Sequence, residues 1–459
     1  MDKKNDVVLC GTFIHATNTE SAVILNDKCI GVKDGKIEFI DDISLVEKNL
    51  KQHNMEGTKI IKMTERQFMI PGFIDTHIHA PQYPNAGKGL DKGLLEWLET
   101  YTFPVESKFK DLKYAASAYR KAVNRVLCNG TTTACYYATI DTDATLLLCD
   151  IINDLGQRAL VGKVNMNINS PDYYVEASVE ESINETRRYI EAVKSRKYTT
   201  IQPIITPRFA IACCKTLMKK LGDLAEEHNL PIQTHLCETK DEVSFVNKLF
   251  PDYDSYADVY DKTGLLTEKT VLAHCVHLTQ PEIDLIKNRK CGVSHCPNSN
   301  LSLRSGLLDA RNLLQQDIKM GLGTDVSGGY HPSILDAMRV TLHVSNTQSL
   351  LKQNGYTPLN MKEAFSLATL GGAKVLSMED VLGNFEVGKY FDALLIDPCS
   401  EHSVLDIFDD DIANDCFEKF MFTGDDRNIS RIFIGGKEVH NPVDVFSVQS
   451  TCTINGAGL

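Results

Sequence analysis

The chain has 459 residues, 43% of them hydrophobic and 24% charged, the composition of a globular protein with room for a large core. Its 48 Lys and Arg stand against 61 Asp and Glu, a formal charge of −13 with no conspicuous basic cluster, which argues against a nucleic-acid partner. No window approaches the ~18 apolar residues of a membrane span, and the start, "MDKKNDVVLCG", has no signal-peptide core, so a cytosolic protein without a membrane partner is expected.

The first 70 residues read as strands, "VVLCGTFIHA" and then "KCIGVKDGKIEFI", where Asp34-Gly35 between two apolar runs predicts a hairpin turn. After Pro71-Gly72 short apolar runs alternate with helix-period segments, the pattern of parallel βα units. Eight candidate strands follow in order: "GFIDTHIH", "TTTACYYAT", "RALVGKVNMNI", "TIQPIITP", "PIQTHLC", "TVLAHCV", "KCGVSHC" and "IKMGLGTD". In the first helical segment Ala115, Ala118, Tyr119, Ala122, Val123, Val126 and Leu127 recur at three- and four-residue steps until Asn129-Gly130 ends it.

Eight such units predict an α/β protein whose residues 71–375 close into a (β/α)₈ TIM barrel. From Leu376 the texture returns to short strands with glycine turns, "VLGNFEVGKYFDALLID" and "ISRIFIGGKEVH". The expected arrangement is one small β domain built from residues 1–70 and 376–459, flanking the barrel. The end, "TINGAGL", is expected to fray. Fourteen scattered cysteines with no C-x-x-C read as reduced thiols.

Barrel chemistry sits at the C-terminal ends of strands. With Phe73 to His79 extended, Asp75, His77 and His79 share one face, Asp75 deeper and more a support than a ligand. The fifth strand carries His235, with Glu238 three residues on; the sixth carries His274; the eighth ends in Asp325. Imidazoles with a carboxylate suit Zn²⁺, and Fe²⁺ is compatible by ligand type. A single strand histidine is as a rule a hydrogen-bonded core residue, but two desolvated imidazoles on one face need a common partner. Alone, Asp325 in "GLGTD" also reads as a helix cap, and Glu238 in "CETKDEV" as an acid opening a helix. His15, His228, His277, His331 and His343 read as structural or surface residues, and Cys237, Cys275 and Cys296 as small buried side chains. His295, ending the seventh strand, either supports the site or orients its loop.

The stretches "PGFIDTHIH", "QTHLCE", "LAHC" and "GLGTD" resemble the metal-site motifs of the amidohydrolase superfamily, whose (β/α)₈ barrels carry a small β-sandwich made from both chain ends. Longer blocks, among them "LLEWLETYTFP", "TPRFAI", "SHCPNSNLSL" and "GLGTDVSGGY", resemble its guanine-deaminating branch along nearly the whole chain. Two-metal members use a bridging Lys or an acid on the fourth strand; "IQPIITPRF" has neither, which implies one metal per chain.

The resemblance implies His77, His79, His235 and Asp325 as ligands of one Zn²⁺, Asp325 also orienting the water and accepting its proton. It implies Glu238 as proton shuttle, His274 as a support for the attacking oxygen, and Gln82, Arg208 and Phe209 as contacts to the base, with His235, Glu238 and Asp325 beside it. Trp97 and Phe103 either wall the pocket or pack the first loop. The activity implied is hydrolysis of guanine to xanthine and ammonia by a homodimer. The alternatives are the same chemistry on another purine, a pterin or a triazine, or a non-catalytic barrel serving binding or assembly. Retention of the four ligands and Glu238 weighs against the last. The H-x-E with P-C-x-x-C pattern of the other nucleobase-deaminase architecture is absent.

Overall fold

The computed structural model describes residues 6–352 and 355–440; the C-terminal tail expected to fray lies outside them. At the start, β1 (Val7–His15) pairs antiparallel with β2 (Val23–Lys33), which turns back into β3 (Lys36–Asp42). The turn is Asp34-Gly35, with φ of 50° and 80°, as a two-residue hairpin of mirror-image type requires. β4 (Lys59–Lys62) and β5 (Phe68–Pro71) both run parallel to β1.

The next strands all pair in parallel. They are β6 (Phe73–His79), β7 (Thr131–Tyr137), β8 (Arg158–Gly162), β9 (Val164–Asn165), β10 (Ile201–Pro203), β11 (Thr206–Pro207), β12 (Ile232–Leu236), β13 (Thr270–His274), β14 (Gly292–His295) and β15 (Lys319–Leu322). All eight predicted strands are present, the third split into β8 and β9 and the fourth into β10 and β11. Pro203 and Pro207, which have no N–H for the ladder, end the two halves of the fourth. One four-stranded sheet runs β10-β8-β7-β6 and another β12-β13-β14-β15, with β11-β9 as a short pair. A parallel bridge between Ile205 and Ile232 joins the fourth strand to β12. At the other edge, Asp325 N–H donates to the His77 carbonyl at 2.9 Å and His79 N–H to the Val326 carbonyl at 3.1 Å, tying the end of β15 to β6.

The first long helix, Leu112–Cys128, buries the seven residues its periodicity predicts. Asp111 caps it, accepting the N–H groups of Lys113 and Tyr114. Among the described residues no helix is long and apolar enough to cross a membrane.

The last strands, β16 (Ala393–Ile396), β17 (Ile429–Ile434) and β18 (Lys437–His440), return to the start of the chain. They extend a mixed sheet of order β18-β17-β16-β5-β1-β2-β3, with β4 also on β1. Its strands alternate: Val7, Leu9 and Phe13 pack on one face with Phe391 and Phe433, while Val8 and Cys10 pack on the other beneath Val46 and Leu50 of helix Val46–Gln52. Pro71-Gly72 is where the chain passes from this sheet into β6. A Cβ on Gly72 would lie 2.0 Å from Thr132 Oγ1, so the close approach to β7 requires glycine.

A buried ion pair locks the parallel strands to the end-strand sheet. Arg158, at the start of β8, donates to Asp392 through Nε at 2.9 Å and Nη2 at 3.2 Å, and its guanidinium lies over the Tyr390 ring. Asp392 also accepts Gly435 N–H at 2.7 Å. Asp392→Ala, which leaves the Arg158 charge buried and unpaired, is expected to cost about 3–5 kcal/mol, read as a lowered urea midpoint at unchanged slope. Replacing both partners at once, Arg158→Met with Asp392→Leu, is expected to recover most of that loss.

Candidate active site

β6 is buried along its whole length, and its alternation brings the side chains of His77 and His79 to one face, rings 4.9 Å apart and edge-on. Asp325 comes to meet them from the turn after β15. Its Oδ1 lies 3.2 Å from His77 Nε2 and 3.4 Å from His79 Nε2, and its Oδ2 lies 3.7 Å from His274 Nε2. His235, on β12, places Nε2 3.2 Å from His79 Nε2. Its Nδ1 donates to the Arg208 carbonyl at 2.6 Å, which fixes the tautomer and turns the Nε2 lone pair toward the other histidines.

Burial lowers the pKa of His77, and those of His79 and His235 well below the ordinary histidine value, which favours the neutral imidazole at all three. Burial alone would raise Asp325, but the close approach of His77, with His274 and His79 beside it, holds it far below the usual carboxylate range. The ligand nitrogens of His77, His79 and His235 lie within 4.8 Å of one another. Both ring nitrogens of His77, Nδ1 of His79 and Nε2 of His274 are buried without a hydrogen-bond partner among the described residues. Neutral lone pairs crowded around a carboxylate fit a divalent cation.

Asp75, on the same face but deeper, is the support expected of it. It accepts the Thr324 N–H at 3.1 Å, the Thr324 hydroxyl at 2.5 Å and the His77 N–H at 3.1 Å. Burial pushes its carboxyl up to about 7 against those bonds.

Glu238 does not open the helix that follows it. That cap is Thr239, in a capping box with Glu242, while the Glu238 side chain turns inward, taking a hydrogen bond from Ser305 at 3.0 Å and facing His274 Nε2 at 3.5 Å. Burial raises the Glu238 carboxyl above the carboxylate range. Burial disfavours the His274 cation too, yet the Glu238 and Asp325 charges and the Asn300 side chain raise its pKa. Its Nδ1 donates to Asn300 Oδ1 at 2.9 Å.

His79, His235, Glu238, His274 and Asp325 floor a cavity that Gln82, Arg208 and Phe209 also line, with Trp97, Leu94 and Leu303 as apolar walls. Trp97 thus belongs to the pocket; Phe103 lies 5.0 Å beneath the Arg208 guanidinium. One residue that the sequence did not mark joins the pair that faces the cavity. Glu106, 1% exposed, accepts Arg208 Nη1 at 2.7 Å and Nη2 at 3.1 Å and also Gln82 Nε2 at 2.9 Å. In "FPVESKFK" it reads as an ordinary helix acid. Asn300 and Ser305 were equally unmarked, though Asn300 lies inside "SHCPNSNLSL".

His295 is buried with both ring nitrogens unpartnered among the described residues and does not line the cavity. His15 accepts Phe385 N–H, and His277 Nε2 bonds the Ser305 carbonyl. Burial raises Cys237, Cys275 and Cys296 well above the ordinary thiol value, as inert buried thiols require; Cys296 Sγ nonetheless lies within 4.8 Å of nitrogens of His77 and His274.

The parallel-strand fold and a site that fits a divalent cation are those of a hydrolase class, and residues 68–439 match the model of the amidohydrolase family. The chain belongs to that family. Among its relatives, the guanine deaminase of Pongo abelii is 48% identical over 94% of this chain and 95% of that protein, and the guanine deaminase of Dictyostelium discoideum is 47% identical over 96% and 100%. A crystal structure of guanine deaminase from C. acetobutylicum with guanine bound in the active site superposes with a TM-score of 0.89 at 36% identity, covering 95% of this chain and all of that one.

Asp75→Ala removes the acceptor of three buried donors, His77 N–H, Thr324 N–H and the Thr324 hydroxyl. At about 1–3 kcal/mol for each donor left unpaired, urea unfolding is expected to lose several kcal/mol, and Thr324→Val, which removes the hydroxyl alone, distinctly less.

Proposed function

We propose that this chain hydrolyses guanine to xanthine and ammonia, using one divalent cation, zinc by its donor set, held by His77, His79, His235 and Asp325. The observation that carries the reading is a single cavity lined by His79, His235 and Asp325, clustered with the buried His77, and also by Gln82 and Arg208. Kinship with enzymes named for that activity, at 46–48% identity over nearly the whole chain, supports the substrate. The eight site-bearing strands are read as a (β/α)₈ barrel of residues 71–375, and the end-strand sheet as a small β-sandwich of residues 1–70 and 376–459. The all-parallel pairing and the bonds from β15 to β6 support that division. The resemblance of the long sequence blocks extends the reading to a homodimer.

When bound, a zinc ion supplies acidification of water, toward a pKa of about 7. Asp325, kept ionised by the imidazoles around it, orients the hydrolytic water and takes its proton. Glu238, raised by burial, holds a proton near neutrality. It delivers that proton to a ring nitrogen as water adds at C2; the carboxylate left behind then takes the proton of the added hydroxyl, as the new carbonyl forms, and passes it to the exocyclic nitrogen, which departs as ammonia rather than amide ion, while the proton held by Asp325 restores Glu238. His274, anchored by Asn300, steadies the oxygen added at C2. Gln82 and Arg208 bind the carbonyl edge of the base, Phe209 shapes its slot, and Trp97, Leu94 and Leu303 keep bulk water out.

Purified protein is expected to carry about one zinc per chain and to release ammonia faster from guanine than from adenine or 8-oxoguanine. Turnover of another base with none of guanine would overturn the assignment. Glu238→Gln is expected to keep its metal while losing about 10²–10⁴ in turnover. Loss of the metal instead would make Glu238 a ligand and remove its role as proton carrier.

A further inference from the structure

We propose that Glu106 is a positioning residue that fixes the base-reading edge of the cavity as an N–H donor edge, and so selects a six-membered ring bearing a carbonyl rather than an amine at C6. The proposal rests on the reading of guanine as substrate. A glutamine amide offers a carbonyl at one end and an amine at the other, and rotation by half a turn exchanges them. Left free, Gln82 would present either a donor to an oxo group or an acceptor to an amine.

Both ends of that amide are held. Nε2 donates to Glu106 Oε1 at 2.9 Å, and Oε1 accepts the Ser327 N–H at 3.3 Å. Both partners are one-directional, since a carboxylate only accepts and a backbone N–H only donates, and Glu106 is the stronger of the two, being charged and closer. The same carboxylate takes both terminal nitrogens of Arg208, at 2.7 and 3.1 Å, and sets the plane of that guanidinium over the Phe103 ring. Each bonded nitrogen keeps a second N–H. Two side chains reached from different loops, one after β6 and one after β11, are thus aligned by one buried carboxylate, and both line the same cavity. An oxo group at C6 accepts from that edge; an amine there would meet donors with donors.

Glu106→Gln is nearly isosteric but can donate as well as accept, so it leaves the Gln82 amide held in one sense only by the longer Ser327 bond and leaves Arg208 without its countercharge. The test measures ammonia release from guanine and from 2,6-diaminopurine, which shares the C2 amine and differs at C6, for wild type and variant, with metal content recorded. Wild type is expected to prefer guanine strongly. Glu106→Gln is expected to raise KM for guanine about tenfold or more, to cut the guanine preference in kcat/KM at least about tenfold, and to retain its metal. Equal loss on both bases would make Glu106 merely structural and overturn the proposal. Should that variant not fold, Glu106→Asp carries the test: its shorter carboxylate keeps the acceptor but cannot reach both partners, so KM for guanine rises about tenfold with kcat within about threefold. An unchanged KM there overturns it. Absence of guanine turnover in wild type would instead sink the underlying functional reading, and this proposal with it.

Discussion

Everything at the site depends on the turn after β15 being bonded to β6. Asp325 and His77 are more than two hundred residues apart, yet the Asp325 N–H donates to the His77 carbonyl, and Asp75 takes the N–H and hydroxyl of the neighbouring Thr324. The backbone bond sets the carboxylate beside the two β6 imidazoles, and the Asp75 bonds stop the turn from moving. Asp325 adopts a left-handed φ of 45°, which Asp tolerates better than most residues. Cys237, His274 and Cys275 are left-handed as well. Four such residues at the ends of β12, β13 and β15 show where the chain accepts local strain in order to aim side chains inward.

The electrostatics follow from that convergence. Four imidazoles and two acids share a dry volume, and burial acts on each alike, against its charged form. What separates them is the neighbour each is given. Asp325 is ringed by histidines and stays ionised; Glu238, one step further out, has only His274 and the Ser305 hydroxyl against the cost of burial and is raised. Two carboxyls that both face His274 Nε2 are thereby assigned opposite protonation habits, the condition under which one can take a proton while the other gives one.

Much of this was legible in the sequence because it follows from period and order. Alternation along "FIDTHIH" predicted the shared face of Asp75, His77 and His79, and the eight apolar runs marked all eight parallel strands. The Asp34-Gly35 turn and the buried stripe of Leu112–Cys128 were equally open to reading, since both follow from local rules. The split of the third strand was not, because it depends on Lys163 burying its ammonium against Glu176 from a later loop. Nor was the direction of Glu238: its sequence suits a helix opening, and only the capping box of Thr239 and Glu242 frees it to turn inward. Glu106 lay beyond reach altogether, because nothing local distinguishes an acid that meets Arg208 from one that meets water.

That acid also settles an energetic question about Arg208. Buried ion pairs rarely stabilise a fold as well as apolar groups of equal volume would, so their retention needs another reason. Here the arginine lies close enough to depress the His79 pKa, and a bare guanidinium beside a divalent-cation site would oppose binding of the cation. Glu106 cancels the charge without consuming all the N–H groups. The Arg208 carbonyl meanwhile fixes the tautomer of His235. One residue therefore joins the two halves of the cavity, its backbone bonded to the histidine cluster and its side chain to the carboxylate that also holds Gln82, and a shift of the β11 turn would disturb both together.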